Sequence, residues 1–167
     1  MKHFWLIRHA KSSWAQADQA DFDRPLNERG RRNGSAMAAW LGEQTEVADW
    51  LVTSAAKRAQ QTAAYVGGAF QLGTERIAVE KNLYHASPDL LLDALQSAPA
   101  DCGTIALVAH NPGLTYLVSD LLAPKPAMAN LPTMGCALFR SQAADWFDVA
   151  PHNCELQLFM APKLLAS

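Results

Sequence analysis

The sequence contains few of the features that mark specialised classes of protein. Only 18% of its 167 residues are charged, against about 25% in an average soluble domain. Its 14 basic and 16 acidic residues give a formal net charge of −2, which argues against a basic nucleic-acid-binding domain. Half of the residues are hydrophobic, so the composition is not that of a disordered chain. The length fits a single domain that spans residues 1–167.

Long hydrophobic runs and paired cysteines are missing as well. The N-terminal run Phe4–Ile7 is shorter than the ~7–15 residues of a signal peptide core. No other run approaches the ~18 residues that a membrane helix needs. The cysteines Cys102, Cys136 and Cys154 form no CxxC pair that would indicate zinc or a redox couple. We therefore expect reduced thiols, a cytoplasmic location and no membrane contact.

The basic residues that are present are unevenly distributed. Residues 1–60 hold nine basic and seven acidic residues, a balance of +2, whereas the remainder of the chain carries −4. Arg29, Arg31 and Arg32 fit a solvated helix face. Arg8 and Arg58 do not, because each lies close to the point where a predicted strand ends.

Strand and helix patterns alternate through the first 120 residues. Short apolar runs predict strands, and apolar residues at helical spacing predict helices. The predicted strands are Phe4–Ile7, Trp50–Val52, Ile77–Val79 and Thr104–Ala109. The predicted helices cover about 26–43 and 55–70, begin at Ser87, and run from Asn111 to about Leu122. This alternation predicts a layered α/β domain with a mostly parallel sheet.

Three further strand candidates follow without helices between them, namely Cys136–Phe139, Trp146–Val149 and Glu155–Phe159. Because parallel strands need a crossover connection, we expect one or more of these strands to be antiparallel. Glu155–Phe159 alternates between polar and apolar residues, as an edge strand should. The proline-rich residues 124–132 predict one long loop.

Polar and cationic residues follow three of the predicted strands at once. The first strand runs into Arg8 and His9, the fourth runs into His110, and Arg58 lies one turn into the helix after the second. In open α/β sheets, ligands bind beyond the carboxyl ends of the strands. We therefore expect these four side chains to converge at one edge of the sheet, beside helix N-termini that favour an anion.

This combination of residue types fits phosphate chemistry. Guanidinium groups match phosphate oxygens, and an imidazole can serve as a nucleophile or a proton donor. The sequence has no His-x-x-x-His pair and no carboxylate set typical of a metal site, so we expect neither a metal nor another cofactor. We predict that His9 attacks phosphorus while Arg8, Arg58 and a protonated His110 neutralise the oxygens on which charge develops.

Four segments resemble motifs of the histidine phosphatase superfamily, whose fold is phosphoglycerate mutase-like. Residues 6–10 resemble its Arg-His-Gly nucleophile motif, with Ala10 in place of the usual glycine. Residues 54–62 resemble its Ser-x-x-x-Arg-Ala-x-Gln-Thr segment, residues 108–112 its second-histidine motif, and residues 23–30 its Arg-Pro-Leu segment. Together these motifs are highly specific, whereas any one of them alone would not be.

The resemblance implies a three-layer αβα fold without a cap domain and a metal-independent phosphatase. It implies that His9 is the phosphorylated nucleophile and that Arg8, Arg58 and His110 form the phosphate pocket. The small size and the motifs are most similar to the SixA-type phosphohistidine phosphatases, which act on phosphohistidine in phosphorelay proteins.

Further residues near these motifs are candidates for contact with the phosphate or the rest of the substrate: Lys11, Arg24, Asn111 and His85. His85 precedes a predicted helix and could reach the rim of the site. Trp14, in the first loop, either shapes the pocket wall or covers the core, and we favour core coverage.

The sequence departs from the superfamily pattern at the general acid. Many members use Glu or Asp to protonate the leaving oxygen, but residues 83–86 hold no carboxylate, and Asn111 stands where the acid phosphatases have Asp. A general acid contributes roughly 10²–10⁴-fold, so its absence favours an imidazole over an alkoxide as leaving group. Asp18, Asp21 and Asp23 follow the first motif, and we do not assign them to the site.

The sequence therefore predicts a hydrolase that removes phosphate from phosphohistidine on a protein partner, with no role for nucleic acid. Two alternatives stay open. One is a small-molecule or aryl phosphomonoesterase with the same mechanism. The other is a non-catalytic phosphoprotein-binding module, in which Arg8 and Arg58 hold a phosphate without turnover. The intact His9 argues against the module, and a mutase is disfavoured because it needs an acid/base carboxylate.

Overall fold

Six strands form one sheet in the computed structural model, which describes residues 1–165. They are β1 (Lys2–Arg8), β2 (Trp50–Ser54), β3 (Ile77–Glu80), β4 (Thr104–Ala109), β5 (Cys136–Ser141) and β6 (Cys154–Met160). The order across the sheet is β3-β2-β4-β1-β5-β6. The first four strands are parallel, whereas β5 is antiparallel to both β1 and β6. The predicted mostly parallel sheet is confirmed.

Helices cover both faces of this sheet, which gives the expected three layers. They are α1 (Glu28–Leu41), α2 (Lys57–Ala69), α3 (Pro88–Gln96), α4 (Gly113–Leu122) and the short α5 (Pro162–Leu165). The first two pack with α5 against one face, and α3 and α4 pack against the other. Each predicted helix is present, whereas α5 was not predicted.

The first strand shows why the early strands are continuous apolar runs. Phe4 and Leu6 face the layer of α3 and α4, whereas Trp5 and Ile7 face the layer of α1 and α2, and all four are 0% exposed. Successive side chains of a strand point to opposite faces, so a strand covered on both sides needs apolar residues at every position. Burial of each such side chain stabilises the fold by about 1.5–3 kcal/mol.

Local caps fix where the helices begin. The Ser87 hydroxyl accepts a hydrogen bond from the Leu90 N–H at 3.3 Å, and Pro88 takes the first helical position of α3. At the start of α1, the Asn27 side chain accepts from the Gly30 N–H at 2.7 Å. These capping residues satisfy backbone N–H groups that the first helical turn leaves unpaired.

The prediction of a strand at Trp146–Val149 is wrong. Residues Trp146–Asp148 form a 3₁₀ turn. Trp146 is buried, and its indole Nε1 donates to the Cys102 carbonyl at 2.7 Å, whereas Phe147 beside it is 79% exposed. Apolar composition over four residues could not separate a strand from a turn that anchors one aromatic side chain.

The other two late strands are confirmed as β5 and β6, and their antiparallel pairing meets the expectation for this region. The last strand lies at the edge of the sheet. Of the three unpaired cysteines, Cys102 and Cys136 are buried and Cys154 is half-buried. Between residues 1 and 165, no helix combines the length and the hydropathy needed to cross a membrane.

Candidate functional site

The carboxyl ends of three adjacent strands, β2, β4 and β1, bring the predicted cluster together. Arg8 and Ala109 are partners in the register of β1 and β4, so His9 and His110 follow neighbouring positions of the sheet. The centroids of the two imidazole rings are 5.0 Å apart. Beyond β2, the first turn of α2 carries Arg58 to the same edge.

A cavity of about 310 Å³ opens at this edge, and we call it the strand-end pocket. Its lining residues are Arg8, His9, Lys11, Ser12, Trp14, Arg24, Asn27, Arg58, His85, His110, Asn111 and Thr133. The structure thus brings all eight sequence-predicted site residues to one cavity. Their contacts differ, and these contacts decide what each residue can do.

His9 is held as a neutral imidazole with one free nitrogen. Its Nδ1 lies 2.8 Å from the Ala10 carbonyl oxygen, which can only accept, so Nδ1 carries the proton and Nε2 keeps its lone pair. The ring is 7% exposed. Burial, followed by the charges of Arg58 and Arg8, lowers the pKa of His9 to about 4. Near neutral pH the side chain is therefore an uncharged base.

Thr62 fixes the backbone next to this imidazole. Its hydroxyl accepts from the Ala10 N–H at 2.9 Å and donates to the Arg58 carbonyl at 2.8 Å. The loop after β1 is thereby tied to the first turns of α2. This link holds His9 and Arg58 at a fixed separation.

Without a bound anion, His110 is neutral, whereas the sequence predicts a protonated His110 during attack on a phosphate. Its Nε2 lies 2.8 Å from the Ser54 hydroxyl, and the residue is 4% exposed. Burial, followed by the charges of His9 and Arg58, lowers the pKa of His110 to about 3. An anion bound beside the ring would favour the protonated form, because opposite charges stabilise each other.

Arg58 is buried and Arg8 is half-buried, and only some of their N–H donors have partners. Arg58 donates from Nη1 to the Asp21 carbonyl at 2.6 Å and from Nη2 to the Asp21 carboxylate at 3.0 Å. Arg8 donates from Nη1 to the Leu131 carbonyl at 3.1 Å, and burial lowers its pKa. The Nε atoms of both arginines are buried without a hydrogen-bond partner in residues 1–165. Since a guanidinium has five N–H donors, both retain donors for an anion.

Asp21 takes part in this site, although no sequence pattern assigns it. Its carboxylate accepts from the Tyr84 hydroxyl, from Arg58, and from the Arg24 Nε at 3.0 Å. The hydrogen bond from Tyr84 is the main cause that holds the pKa of Asp21 well below its usual range, and both arginines add to it. The group stays ionised, so it orients arginines rather than donating a proton. The sequence signal for this role is that Asp21 lies three residues before Arg24, a spacing at which opposite charges can pair.

Arg24 and Asn111 line the pocket with their hydrogen bonds already engaged. Besides its bonds to Asp21, Arg24 donates from Nη1 to the Ser12 hydroxyl at 2.6 Å. The Asn111 amide donates to the Leu131 carbonyl at 3.0 Å and accepts from the Thr115 hydroxyl at 2.9 Å. Both side chains therefore serve as walls that hold the surrounding loops.

The rim of the pocket is formed by exposed side chains. Trp14 is 76% exposed, and the Arg24 guanidinium lies 3.5 Å from the centroid of its ring. Trp14 thus shapes the pocket wall, and the expectation that it covers the core is wrong. The side chain of His85 is 62% exposed, with its Nε2 3.8 Å from the Asp21 carboxylate. Lys11 is exposed and also lines the cavity.

The arrangement suits a tetrahedral anion. A neutral imidazole with a free lone pair faces a cavity whose walls hold one buried and one half-buried arginine with unused N–H groups. Such preorganised donors stabilise charge that develops on oxygen during nucleophilic attack. In the part of the chain that the structure describes, no group of three or more His, Cys, Asp or Glu is placed to hold a metal ion.

Comparisons with known proteins agree with this geometry. The family model of the histidine phosphatase superfamily (branch 1) matches residues 4–84. An uncharacterised protein of Mycobacterium tuberculosis is 30% identical over 165 residues, which cover 94% of this chain and 100% of that protein. The structure of a putative phosphohistidine phosphatase SixA from Nakamurella multipartitia is 28% identical with a TM-score of 0.80, covering 96% of each chain. A putative phosphohistidine phosphatase SixA from Agrobacterium tumefaciens is 27% identical with a TM-score of 0.78, covering 96% of this chain and 98% of that one.

Proposed function

The chain belongs to the histidine phosphatase superfamily and is SixA-like, and on that premise we propose that it dephosphorylates phosphohistidine on a protein partner through a phosphorylated His9. The observation that carries the proposal is the state of His9. Its Nδ1 proton is committed to a backbone carbonyl, and its Nε2 lone pair is free beside Arg8 and Arg58. This is the state that a nucleophilic imidazole requires.

In the first step, Nε2 of His9 attacks phosphorus in line with the leaving group. The N–P bond forms as the bond from phosphorus to the leaving atom breaks, and the leaving atom keeps the electron pair of that bond and takes up a proton from solvent. Arg8, Arg58 and His110 stabilise the equatorial oxygens, on which negative charge accumulates. His110 acts here as a hydrogen-bonding group whose protonation is promoted by the incoming anion.

In the second step, water attacks the phosphorus of phospho-His9. The N–P bond breaks, its electron pair returns to Nε2, and inorganic phosphate leaves with one proton of the attacking water while the other proton passes to solvent. The same donors stabilise this second transition state. The Nδ1–H bond to the Ala10 carbonyl keeps His9 in one tautomer through both steps.

The state of Asp21 supports phosphohistidine as the substrate. Because its hydrogen bonds keep it ionised, it has no proton to give to a leaving alkoxide. An imidazole leaving group needs less assistance than an alkoxide, since it is less basic. General acid assistance is worth roughly 10²–10⁴-fold, and we expect the enzyme to discriminate against alkyl phosphates by a factor in this range.

The exposed rim supports a macromolecular partner. Trp14 and His85 extend into solvent beside the pocket, where they can contact a protein surface that presents the phosphorylated residue. Lys11 is available to contact the same partner. A phosphorelay protein in the cytoplasm is the partner we propose, in keeping with the three unpaired cysteines.

The proposal is tested by comparing substrates with one preparation of the enzyme. The rate constants kcat/KM are measured for a phosphohistidine protein, an aryl phosphate and an alkyl phosphate, with His9→Ala as the control for contaminating activity. We expect the highest value for phosphohistidine and the lowest for the alkyl ester. Faster turnover of the alkyl ester contradicts the proposal.

An aryl phosphomonoesterase is the second candidate, because an aryl oxide is also a good leaving group for a site without a proton donor. It is favoured if kcat/KM for the aryl ester exceeds that for the phosphohistidine protein. Binding of phosphate with no turnover of any of the three substrates identifies a binding module instead.

A further inference from the structure

A second cavity, of about 320 Å³, adjoins the strand-end pocket, and we call it the cationic groove. Arg8, Lys11 and Thr133 line both cavities, so the two are continuous. Beyond this shared wall, the groove extends to Arg29 at the start of α1 and Lys163 in α5. Its lining includes four cations and, within residues 1–165, no Asp or Glu.

Three of the four cations of the groove are free to bind a partner. Lys11, Arg29 and Lys163 are exposed, and none of them forms an ion pair with another described residue. Arg32, one turn further along α1, pairs instead with Glu28 at 3.1 Å. Arg29 and Arg32 are both exposed, as expected for a solvated face, and Arg29 in addition lines the groove beside the pocket.

The backbone fixes this groove against the nucleophile. The Asn27 N–H donates to the Lys11 carbonyl at 3.0 Å, which joins the start of α1 to the loop after His9. A Cβ atom on Gly30 would clash with the same carbonyl, so only glycine permits this approach. Arg29 and Lys11 are therefore carried on segments with a fixed separation from the reacting histidine.

We propose that the cationic groove binds an acidic segment of the partner protein that lies next to its phosphohistidine. This inference rests on the proposed function and names what the partner must carry. The protein has a net charge of −2, so an acidic partner needs a local region of opposite sign in order to approach the pocket.

The type of cation favours carboxylates over a second phosphoryl group. A single phosphoryl group is held best by forked donors that are at least partly withdrawn from solvent, such as those of Arg8 and Arg58. Lys11, Arg29 and Lys163 are instead exposed side chains spread along the groove. Such charges suit several carboxylates of an extended segment, each of which remains partly hydrated.

Exposed charges act on association more than on the chemical step. Their attraction is screened over about 8–10 Å at physiological salt, and it raises the rate of encounter with an oppositely charged partner. The groove should therefore lower KM for an acidic substrate and leave kcat unchanged. A small aryl phosphate does not extend into the groove, so its turnover should be independent of Arg29 and Lys163.

The test uses two phosphohistidine peptides that differ only in their flanks, one with Asp and Glu and the other with Asn and Gln. The wild-type enzyme should prefer the acidic peptide by about tenfold in kcat/KM at low salt, and the preference should nearly vanish at about 0.5 M salt. The variant R29A/K163A should lose most of the preference through a higher KM. The matched control R32A/K81A removes two exposed cations outside the groove and should keep it.

Turnover of an aryl phosphate by all three enzymes checks that the pocket is intact. An equal kcat/KM for the two peptides, or an equal loss in R29A/K163A and R32A/K81A, overturns the inference. Small bisphosphates are measured as well. If R29A/K163A lowers kcat/KM only for these substrates, the groove binds a second phosphoryl group and the inference is overturned. If no phosphohistidine peptide is hydrolysed, the proposed function fails, and the same flanks placed around phosphotyrosine then test the groove alone.

Discussion

The strand-end pocket and the cationic groove share Arg8 and Lys11, but solvent reaches their charges to different extents. In the pocket, Arg58 is 3% exposed and is bonded to Asp21. In the groove, Arg29 is exposed and forms no ion pair with a described residue. The same type of side chain is thus buried and paired in one region, and exposed without an ion pair to a described residue in the other.

Burial also controls the histidines, and it does so more strongly than the neighbouring charges. It is the largest cause that lowers the pKa of His9 to about 4 and of His110 to about 3. The cations next to them lower these values further, because a like charge disfavours protonation. The pocket therefore combines permanent positive charge on arginine with a neutral His9, which is the state that a nucleophilic imidazole requires.

The largest effect should come from removing the nucleophile. We expect His9→Ala to lower kcat for phosphohistidine and aryl phosphates by about 10⁴-fold or more, because no other group can form the covalent intermediate. His152→Ala, which changes an exposed histidine that does not line the pocket, is the control and should keep wild-type turnover. Substantial residual activity in His9→Ala would place the nucleophile elsewhere.

Removing a cation from the pocket should lower kcat less than removing the nucleophile does. It should lower kcat far more than removing a cation from the groove. We expect Arg58→Ala to lower kcat by about 10²-fold, since it removes about 3 kcal/mol of transition-state stabilisation. Arg29→Ala should leave kcat for an aryl phosphate within about twofold, because exposed charges contribute little at close range. Similar losses of kcat in Arg58→Ala and Arg29→Ala would contradict the distinction between the strand-end pocket and the cationic groove.

Asp21 should contribute to turnover because it holds Arg58 in the strand-end pocket. We expect Asp21→Asn to lower kcat by about tenfold or more, because hydrogen bonds that hold Arg58 as a charged pair are worth about 1.5–3 kcal/mol. Asp23→Asn, in the same 3₁₀ turn, is the matched control and should have little effect. If Asp21 acts through Arg58, its substitution should matter much less in an Arg58→Ala background, so additive losses would contradict this role.

A smaller effect should appear in the pH dependence of stability. An unfolded histidine has a pKa of about 6.5, whereas burial lowers that of folded His9 to about 4. Between these values the unfolded chain binds more protons, so stability falls as the pH is lowered from about 6.5 to 4, with a slope of up to about 1.4 kcal/mol per pH unit. Urea unfolding should show that, between about pH 7 and pH 5, the free energy of unfolding falls less for His9→Gln than for the wild type. His152→Gln is the control, and an unchanged slope in His9→Gln would contradict the assigned state of His9.

Sequence patterns predicted the elements that depend on local periodicity and on strand order. The strand Thr104–Ala109 has its predicted bounds as β4, because a fully buried strand is apolar along its whole length. His9, His110 and Arg58 could be placed together because each follows a strand of the same parallel set. This placement follows from the order of strands and helices along the chain, which a sequence pattern can show.

The residues that were missed depend on contacts between distant segments. Asp21 reaches Arg58 and Tyr84 only because the loop after β1 folds back across the pocket. Trp14 is exposed at the rim of the pocket, where its ring contacts the Arg24 guanidinium. The neutral state of His110 follows from burial, which no local pattern reports. Loop conformation and desolvation were therefore out of reach of the sequence.

The most direct test of the account is to trap the enzyme during turnover and locate the phosphate. Rapid quenching under alkaline conditions preserves phosphohistidine, and mass spectrometry of the digested protein identifies the modified residue. We predict that acid-labile phosphate is found on His9 in the wild type and in R29A/K163A, and that it is absent in His9→Ala. Turnover by the wild type with phosphate on another residue, or with none on His9 under single-turnover conditions, would contradict it.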